Sequence, residues 1–323
     1  MKAPSWLAAL VLGATAVIAG PAASQSYPTK PIRLVVGWPA GGGADIVARL
    51  VAQGLTEQLR QQVVVENRPG ASGNIGAETV AKAVPDGYTI LLVGANHATN
   101  VHLYKKINYH PVNDFEPIAL LTAAPNILVA NPALPARTLP ELIAMAKARP
   151  GQVAYGSAGN GTTGHLAMEL LKSITGADMV HVPYKGGNPF MTDLIGGQVM
   201  VGFENVLSAG PHIQAGKLRA IASSGQRRSP VLPNVPTVAE AGYPGFDVVL
   251  WQGLLAPAGT PREVIARLSS AVQASLKNPQ VLNRFNELAV GAIGGTPDEF
   301  RAFLARETDQ WGKVIKTSGI QLD

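Results

Sequence analysis

Short apolar runs alternate with amphipathic segments in the first third of the chain. A buried strand is predicted at PIRLVVGW and a helix at DIVARLVAQGLTEQL, where the apolar residues Ile46, Val47, Leu50, Val51 and Leu55 share one face. Two more buried strands are predicted at VVVEN and YTILLVG, separated by a helix that includes AETVAKA. This alternation is typical of a parallel sheet whose strands are joined by crossover helices.

A second series of strands and helices begins at about Leu120. Its predicted strands are NILVA, VAYGS, MVHVPYK, VMVGFEN and LRAIASS, and its helices lie after Thr138, over 163–174 and near Phe190. Thr138 and Glu141 have the spacing of a capping box. After a proline-rich passage, DVVLWQGLLAP predicts a further strand, and two helices follow that each begin with Thr-Pro-x-Glu, with Thr at the N-cap. Two such series in a chain of 323 residues predict two α/β domains.

The N-terminus has the pattern of a secretory signal peptide. Lys2 supplies a positive charge, residues 6–19 are mostly apolar, and small residues at 22–24 offer a cleavage site. The apolar run is too short to span a bilayer, and no later run reaches about eighteen uninterrupted apolar residues. We therefore predict a cleaved signal over residues 1–24 and an exported mature chain.

The composition narrows the setting and the chemistry. The chain has no cysteine, which excludes disulfides, thiolate metal sites and nucleophiles, and lipid attachment through an N-terminal cysteine. A periplasmic protein that diffuses freely fits this composition best. The formal net charge is +5, the Lys and Arg residues are scattered, and aromatic residues make up 6% of the chain, so nucleic acid is not expected as a partner.

Two glycine-rich turns, at 41–43 and 159–164, each stand between a predicted strand and a predicted helix. At such junctions the first N–H groups of the helix have no acceptor within the helix, and they bind anions. Glycine lets the backbone approach a ligand and adopt positive φ. In open α/β sheets the ligand crevice lies at this edge of the strands. A tight turn without a ligand is the alternative for either segment.

Other known motifs compete for the second turn. Gly159, Gly161 and Gly164 match G-x-G-x-x-G, but the nearest acidic residue for a ribose, Asp178, precedes its strand instead of ending it. A hydrolase elbow requires a glycine two residues before Ser157, where this chain has a tyrosine. No phosphate-loop motif occurs, and none of the six His residues forms a pair at metal-ligand spacing. We therefore expect no cofactor, no metal site and no catalysis.

Seven sequence blocks follow one another along the chain: PAGGGADIVARL, ENRPGASGNIGAETVAKAVPDGYTI, GSAGNGTTGHLAMELL, VPYKGGNPFMTDLIGGQV, AGKLRAIASS, NVPTVAEAGYPGF and WQGLLAPAGTP. In this order they resemble blocks of the periplasmic solute-binding proteins of tripartite tricarboxylate transporters, the TctC or Bug family. The resemblance implies a Venus-flytrap fold, periplasmic-binding-protein-like, in which two Rossmann-like α/β domains are joined by a two-strand hinge. It assigns residues 25–121 and 248–323 to the first domain and 122–247 to the second, with the glycine-rich turns facing each other across a cleft.

The resemblance also implies a set of ligand-binding residues. In the family, the two loops hold a ligand carboxylate largely through backbone amides, hydroxyls and ordered water. The implied residues are Trp38, Ala40, Gly42 and Asp45 in the first loop, Ser157, Gly161, Thr162, Thr163 and His165 in the second, and Glu204 near the end of a later strand.

Four of these residues have a second interpretation or depart from the family pattern. Asp45 can cap its own helix, and His165 can pack or cap within the first helical turn. Trp38 replaces the usual Phe of a Pro-Phe pair, and it can stack on a planar ligand or fill the core. Glu204 replaces the Asp of an Asp-Asn-like pair, and its longer side chain would shorten the space for the ligand or recruit a cationic group.

The function implied by the resemblance is capture of a small organic acid and its delivery to the membrane subunits of a tripartite tricarboxylate-type transporter. The acid is expected to be a mono- or dicarboxylate, an aromatic acid or an amino acid, bound by a monomer without a cofactor. Two alternatives stay open. One is a receptor that passes its closed state to a sensor kinase, and the other is a secreted hydrolase or nucleotide-binding enzyme that uses the same glycine-rich turns.

Overall fold

The computed structural model describes residues 27–41, 43–184, 186–287 and 290–318. The predicted signal peptide over 1–24 and Gly42 of the first turn lie outside the described residues. Within the described ranges, no helix is long and apolar enough to cross a bilayer.

The strands are β1 Ile32–Val36, β2 Val63–Asn67, β3 Thr89–Gly94, β4 Phe115–Ala130, β5 Val153–Ser157, β6 Met179–Pro183, β7 Val201–Asn205, β8 Arg219–Ser223, β9 Val249–Pro257 and β10 Gly291–Ala292. The helices are α1 Gly43–Leu59, α2 Asn74–Ala81, α3 Ala95–Leu103, α4 Leu139–Ala148, α5 Thr163–Thr175, α6 Gly187–Ile195, α7 Val206–Gln214, α8 Arg262–Leu276, α9 Pro279–Glu287 and α10 Pro297–Ser318, with a 3-10 turn at Ala71–Gly73.

The strands form one mixed sheet with two parallel units. Its order is β2-β1-β3-β9-β4-β7-β5-β6, and β8 and β10 both pair with β4. β1 pairs in parallel with β2 and β3, and β5 pairs in parallel with β6 and β7. We call β1, β2 and β3 with their helices the first lobe, and β5, β6 and β7 with theirs the second lobe. The first lobe contains the strands of the first predicted series and the second lobe three strands of the second, whereas NILVA and LRAIASS of that series lie in β4 and β8, which pair antiparallel with each other.

The long strands β4 and β9 join the two lobes. β4 has 16 residues, and it pairs antiparallel with β9 along its first part and with β7 and β8 along its last part. Apolar patterning predicts only the NILVA end of β4, because Pro117 and Pro125 interrupt the strand signal. Two shifts of register lie between Pro117 and Thr122, next to the first proline, and Pro125 stands opposite Val249 at the end of the pairing with β9.

Each lobe buries apolar side chains on both faces of its sheet. In the first lobe, Leu34 packs in one core cluster with α1 and α8, while its neighbour Val35 packs in another with α2 and α10. At the second lobe, Leu128 and Ile127 of β4 divide in the same way between two clusters. Successive side chains of a strand point to opposite faces. Burial of both faces therefore explains the nearly continuous apolar runs in the sequence.

Two of the three predicted threonine caps are confirmed. The hydroxyls of Thr138 and Thr296 accept the backbone N–H three residues later, at the starts of α4 and α10. The prediction that Thr260 caps α8 is wrong, because the Thr260 hydroxyl donates to the carbonyl of Pro257 at 2.7 Å. The turn after β9 thus offers this hydroxyl an acceptor, and α8 begins at Arg262 without a side-chain cap.

Helix α10 contacts the cores of both lobes. Phe300 in its first half belongs to a core cluster of the first lobe, and Trp311 in its second half belongs to a core cluster of the second. Between them, Glu307 Oε2 accepts hydrogen bonds from the indole N–H groups of Trp251 and Trp311, at 2.9 and 3.1 Å. The helix therefore ties β9 to the second lobe.

We predict that Trp311→Ala destabilises the protein strongly. The side chain is 1% exposed, and truncation of a buried aromatic residue costs about 3–5 kcal/mol of unfolding free energy. Urea unfolding measures the change, with the exposed Lys313→Ala on the same helix as the control, for which we expect a change within about 0.5 kcal/mol. Equal unfolding midpoints for the two variants would contradict the assigned packing.

Candidate functional site

A cleft of about 1150 Å³ lies between the two lobes. The turns and helices that follow β1, β3, β5 and β7 all contribute to its walls, so it lies at the carboxyl ends of the parallel strands. Residues of β4 and β9, including Asn126 and Gln252, also line it. Segments from both lobes therefore line the same cleft.

Asp45 holds the first glycine-rich turn from behind. It is 2% exposed, and its Oδ2 accepts the N–H of Gly41 at 2.9 Å. Arg49 donates to both carboxylate oxygens, and Asn67 donates to Oδ1 and to the carbonyl of Trp38. These bonds, above all that from Arg49, lower the pKa of Asp45 to about 2. The carboxylate stays ionised and joins the turn to α1 and β2.

Three side chains hold the second glycine-rich turn in the same way. Ser157 Oγ lies 3.2 Å from the N of Gly159, whose carbonyl accepts the hydroxyl of Thr162 at 2.8 Å. His165 Nδ1 accepts the N–H of Gly161 at 3.0 Å. Polar atoms of Ser157, Thr162 and His165 thus form hydrogen bonds within the turn. These bonds fix the conformation of its backbone.

The first turn of α5 leaves backbone donors at the cleft. Thr162 occupies the N-cap but makes no side-chain cap bond, and the N–H groups of Thr163, Gly164 and His165 have no acceptor within the helix. Thr163 and Gly164 line the cleft. A Cβ on Gly164 would lie 2.4 Å from the carbonyl oxygen of Phe203, so only glycine permits this close approach of α5 to β7.

Helix α3 presents a similar end from the first lobe. Its N-cap is Gly94, which provides no side-chain cap, and Ala95 and Asn96 line the cleft. Each helix dipole and the N–H groups of the first turn favour a negative charge at these ends. By contrast, α7 is capped by Asn205, whose Oδ1 accepts the N–H of Ser208. The uncapped starts of α3 and α5 therefore offer donors from both lobes.

Glu204 is the one charged side chain among the described residues that line the cleft. It is 7% exposed, and its Oε1 accepts both the backbone and the side-chain N–H of Asn205. Burial raises the pKa of this carboxyl group above its ordinary value. The cleft thus combines backbone donors with one buried acid.

Large apolar side chains cover part of the cleft wall. Trp38, Leu207 and Leu250 are 36%, 51% and 37% exposed and lie on three different segments. Exposed apolar surface inside a concave site suits the hydrocarbon part of a ligand. Trp38 therefore lines the cleft, and stacking of its ring on a planar ligand stays a prediction.

Six of the implied ligand residues line the cleft, and three lie behind it. Those at the surface of the cleft are Trp38, Ala40, Gly161, Thr162, Thr163 and Glu204. Those absent from its lining are Asp45, Ser157 and His165, which are all buried. Gly42 lies outside the described residues.

Several polar lining residues were not singled out from the sequence. Ser72, Asn96, Asn100 and Asn126 line the cleft. Ser72 and Asn96 follow the carboxyl ends of β2 and β3, and this position at the strand ends is a signal by which they could have been found. Across the described ranges, no group of His, Asp and Glu is arranged to hold a metal ion.

The chain matches the sequence profile of a family described as "Tripartite tricarboxylate transporter family receptor" over residues 47–320. It is also 39% identical over 311 residues to Protein BugT of Bordetella pertussis, a match that covers 96% of this chain and 95% of BugT. Members of this family are substrate-binding receptors.

Solved structures of similar proteins confirm the fold class. The chain resembles "R. palustris Rpa4515 with adipate" at 38% identity and a TM-score of 0.78, covering 91% of this chain and 99% of that one. It resembles MatC from Rhodopseudomonas palustris "with bound malate" at 33% identity and a TM-score of 0.75, covering 90% and 100%. The periplasmic binding protein BugD gives 36% identity and a TM-score of 0.75, covering 91% and 99%. The predicted periplasmic-binding-protein fold of the Venus-flytrap type is confirmed.

We predict that two histidines beside the second glycine-rich turn make the folded protein less stable in mild acid. His165 and His181 stack at 3.9 Å between ring centroids, beside Tyr155, Glu169 and Lys172. Burial lowers the pKa of His165 to about 3 and that of His181 to about 4. The unfolded chain therefore binds protons below about pH 6.5 that the folded chain does not, and stability falls as the pH drops from about 6.5 towards 4.

We predict that His165→Asn reduces this acid sensitivity. Asn retains an acceptor for the N–H of Gly161 but does not titrate, so the variant should lose about 2 kcal/mol less unfolding free energy than the wild type between pH 7 and pH 5. Urea unfolding at the two pH values measures this difference. The control is His212→Asn, on α7 away from the stack. An unchanged pH dependence in His165→Asn would contradict the assigned role.

Proposed function

Because this chain belongs to the tripartite tricarboxylate transporter family of receptors, we propose that it captures one small carboxylate in the cleft and delivers it to the membrane subunits of a transporter. Relatives were solved with adipate and with malate, which are both carboxylates. The observation that carries the proposal for this chain is the uncapped start of α5, where Thr163 and Gly164 line the cleft.

Backbone donors are sufficient for useful affinity. A micromolar dissociation constant requires about 8 kcal/mol of net binding free energy. Each hydrogen bond to a charged group contributes roughly 1.5–3 kcal/mol. Four or five bonds to one carboxylate, less the free energy of ordering the ligand, reach this range. Lys and Arg are absent from the described lining residues, and the proposed mode of binding does not need them.

The proposed domains are residues 25–121 with 248–323 and residues 122–247, which close on the ligand about β4 and β9. Two facts support these boundaries. β4 pairs with β9 before it reaches β7 and β8, and residue 248 directly precedes β9. The second half of α10 also packs on the second lobe, so closure would have to preserve or rearrange that contact.

We propose that the cleft binds its ligand without catalysis. Ser157 Oγ lies 2.7 Å from His181 Nε2, a distance found between a nucleophile and its base. Ser157, however, has no exposed surface and does not line the cleft. The contact with His181 therefore supports a role in shaping the turn.

We place the mature chain in the periplasm, after removal of residues 1–24, as a monomer. The apolar segment near the N-terminus and the absence of cysteine support this setting. Similarity to the periplasmic binding protein BugD supports it further.

Deletion of one backbone donor tests the proposed site. We predict that a panel of mono- and dicarboxylates, aromatic acids and amino acids contains a ligand that raises the melting temperature, and that Thr163→Pro weakens its binding roughly tenfold or more. Proline is well tolerated at the first position of a helix, and Thr162 has φ −70° and ψ 156°, which are compatible with a following proline. Isothermal titration calorimetry measures the affinity.

The matched variant is Thr163→Ala, which removes the hydroxyl but keeps the N–H. We expect it to bind more tightly than Thr163→Pro, while both apo variants melt near the wild-type temperature. Equal losses in the two variants would assign the contact to the hydroxyl. A panel in which no acid binds the wild type would overturn the proposed function.

A further inference from the structure

Glu204 is held in a fixed orientation at the cleft. It is the penultimate residue of β7, and its Oε1 accepts two hydrogen bonds from Asn205, whose own Oδ1 caps α7. Asn205 therefore both caps α7 and holds the carboxyl group of Glu204. These hydrogen bonds restrict the rotation of the Glu204 carboxyl group. A glutamate side chain has more rotamers than an aspartate side chain, and the bonds to Asn205 offset this additional freedom.

The second oxygen of this carboxyl group is available to a ligand. No hydrogen bond from any described residue reaches Glu204 Oε2. A Cβ on Gly187 would lie 3.3 Å from this oxygen, so the missing side chain at Gly187 leaves space beside it. Glu204 lines the cleft although it is more than nine-tenths buried. A cation therefore stabilises a buried carboxylate that has no other cationic partner more than it stabilises an exposed carboxylate.

The cleft contains two kinds of group, one that favours a negative charge on the ligand and one that favours a positive charge. The starts of α3 and α5 offer N–H donors that suit a carboxylate. Glu204 offers an acceptor that suits a cation, and no Lys or Arg stands among the described lining residues to neutralise it. A dicarboxylate would bring a second negative charge into a cleft that already contains one.

We infer that the ligand is an amino-carboxylate, with its carboxylate at the uncapped helix starts and its ammonium group at Glu204 Oε2. The apolar surfaces of Trp38, Leu207 and Leu250 would contact the hydrocarbon between the two charged ends. This inference rests on the proposed function and names the ligand class of the same cleft. Glu204 is then the residue that determines specificity.

Ligands matched in length test this inference. The first series is γ-aminobutyrate, glutarate and pentanoate, the second is ε-aminocaproate, pimelate and heptanoate, and norvaline adds an α-amino group to pentanoate. Within at least one comparison, we expect the wild type to bind the amino-carboxylate about tenfold or more tightly than the matched diacid and monoacid. Calorimetry at neutral pH measures each dissociation constant.

Variants of Glu204 assign the preference to this side chain. Glu204→Gln should abolish the preference for the amino-carboxylate and strengthen binding of the diacid. Glu204→Asp keeps the charge and should keep the sign of the preference. The control is Glu116→Gln, an acid paired with Arg301 and absent from the cleft lining, which should bind like the wild type. Urea unfolding verifies that each variant is folded.

Two results would overturn the inference while leaving the proposed function in place. One is a wild type that binds the diacids most tightly, as a protonated Glu204 that donates to a second carboxylate would produce. The other is an unchanged preference in folded Glu204→Gln. If no acid in either series or in the wider panel of carboxylates binds the wild type, the proposed function and the inference both fail.

Discussion

The first N–H groups of a helix have no acceptor within that helix, and they must find a side chain, water or a ligand. At α4 and α7 a side chain supplies the acceptor. At α3 and α5 it does not, and both helices begin at the cleft. The parallel arrangement of the strands produces this convergence, because each crossover helix starts near the carboxyl end of the preceding strand. β4 and β9 then join the two units so that their helix starts share one space.

The buried polar side chains behind the turns serve this arrangement indirectly. Asp45 bonds to Gly41, and His165 bonds to Gly161, so each orders a backbone segment whose neighbours line the cleft. A preorganised turn loses less conformational entropy when a ligand binds. Glu204 differs from these residues because one of its oxygens has no protein partner in the described parts of the chain. Glu204 therefore belongs to the lining of the cleft, whereas Asp45 supports the turn beside it.

Much of the fold follows from apolar periodicity. The runs that predict β1, β3 and β5 are buried on both faces, so packing and sequence pattern agree. β4 was predicted only in part, since its two prolines oppose a strand that pairing with β9 nevertheless stabilises. The cap at Thr260 failed for a local reason, because a sequence pattern does not reveal that the hydroxyl has another acceptor nearby. For the site, the strand-turn-helix pattern predicts the two glycine-rich turns, and the family resemblance adds Glu204; both lie at the cleft. The resemblance implies Asp45, Ser157 and His165 as ligand residues, and residue type alone does not reveal that these side chains are buried and bond to the turns.

We propose that the ligand carboxylate is held mainly by backbone amides at the start of α5. Amide proton chemical shifts of the isotope-labelled protein, recorded with and without a saturating carboxylate ligand, test it most directly. We expect large downfield shifts for the N–H protons of Thr163 and Gly164, with smaller changes at the capped start of α4. Saturation of the protein by the ligand without any change at Thr163 and Gly164 would contradict it.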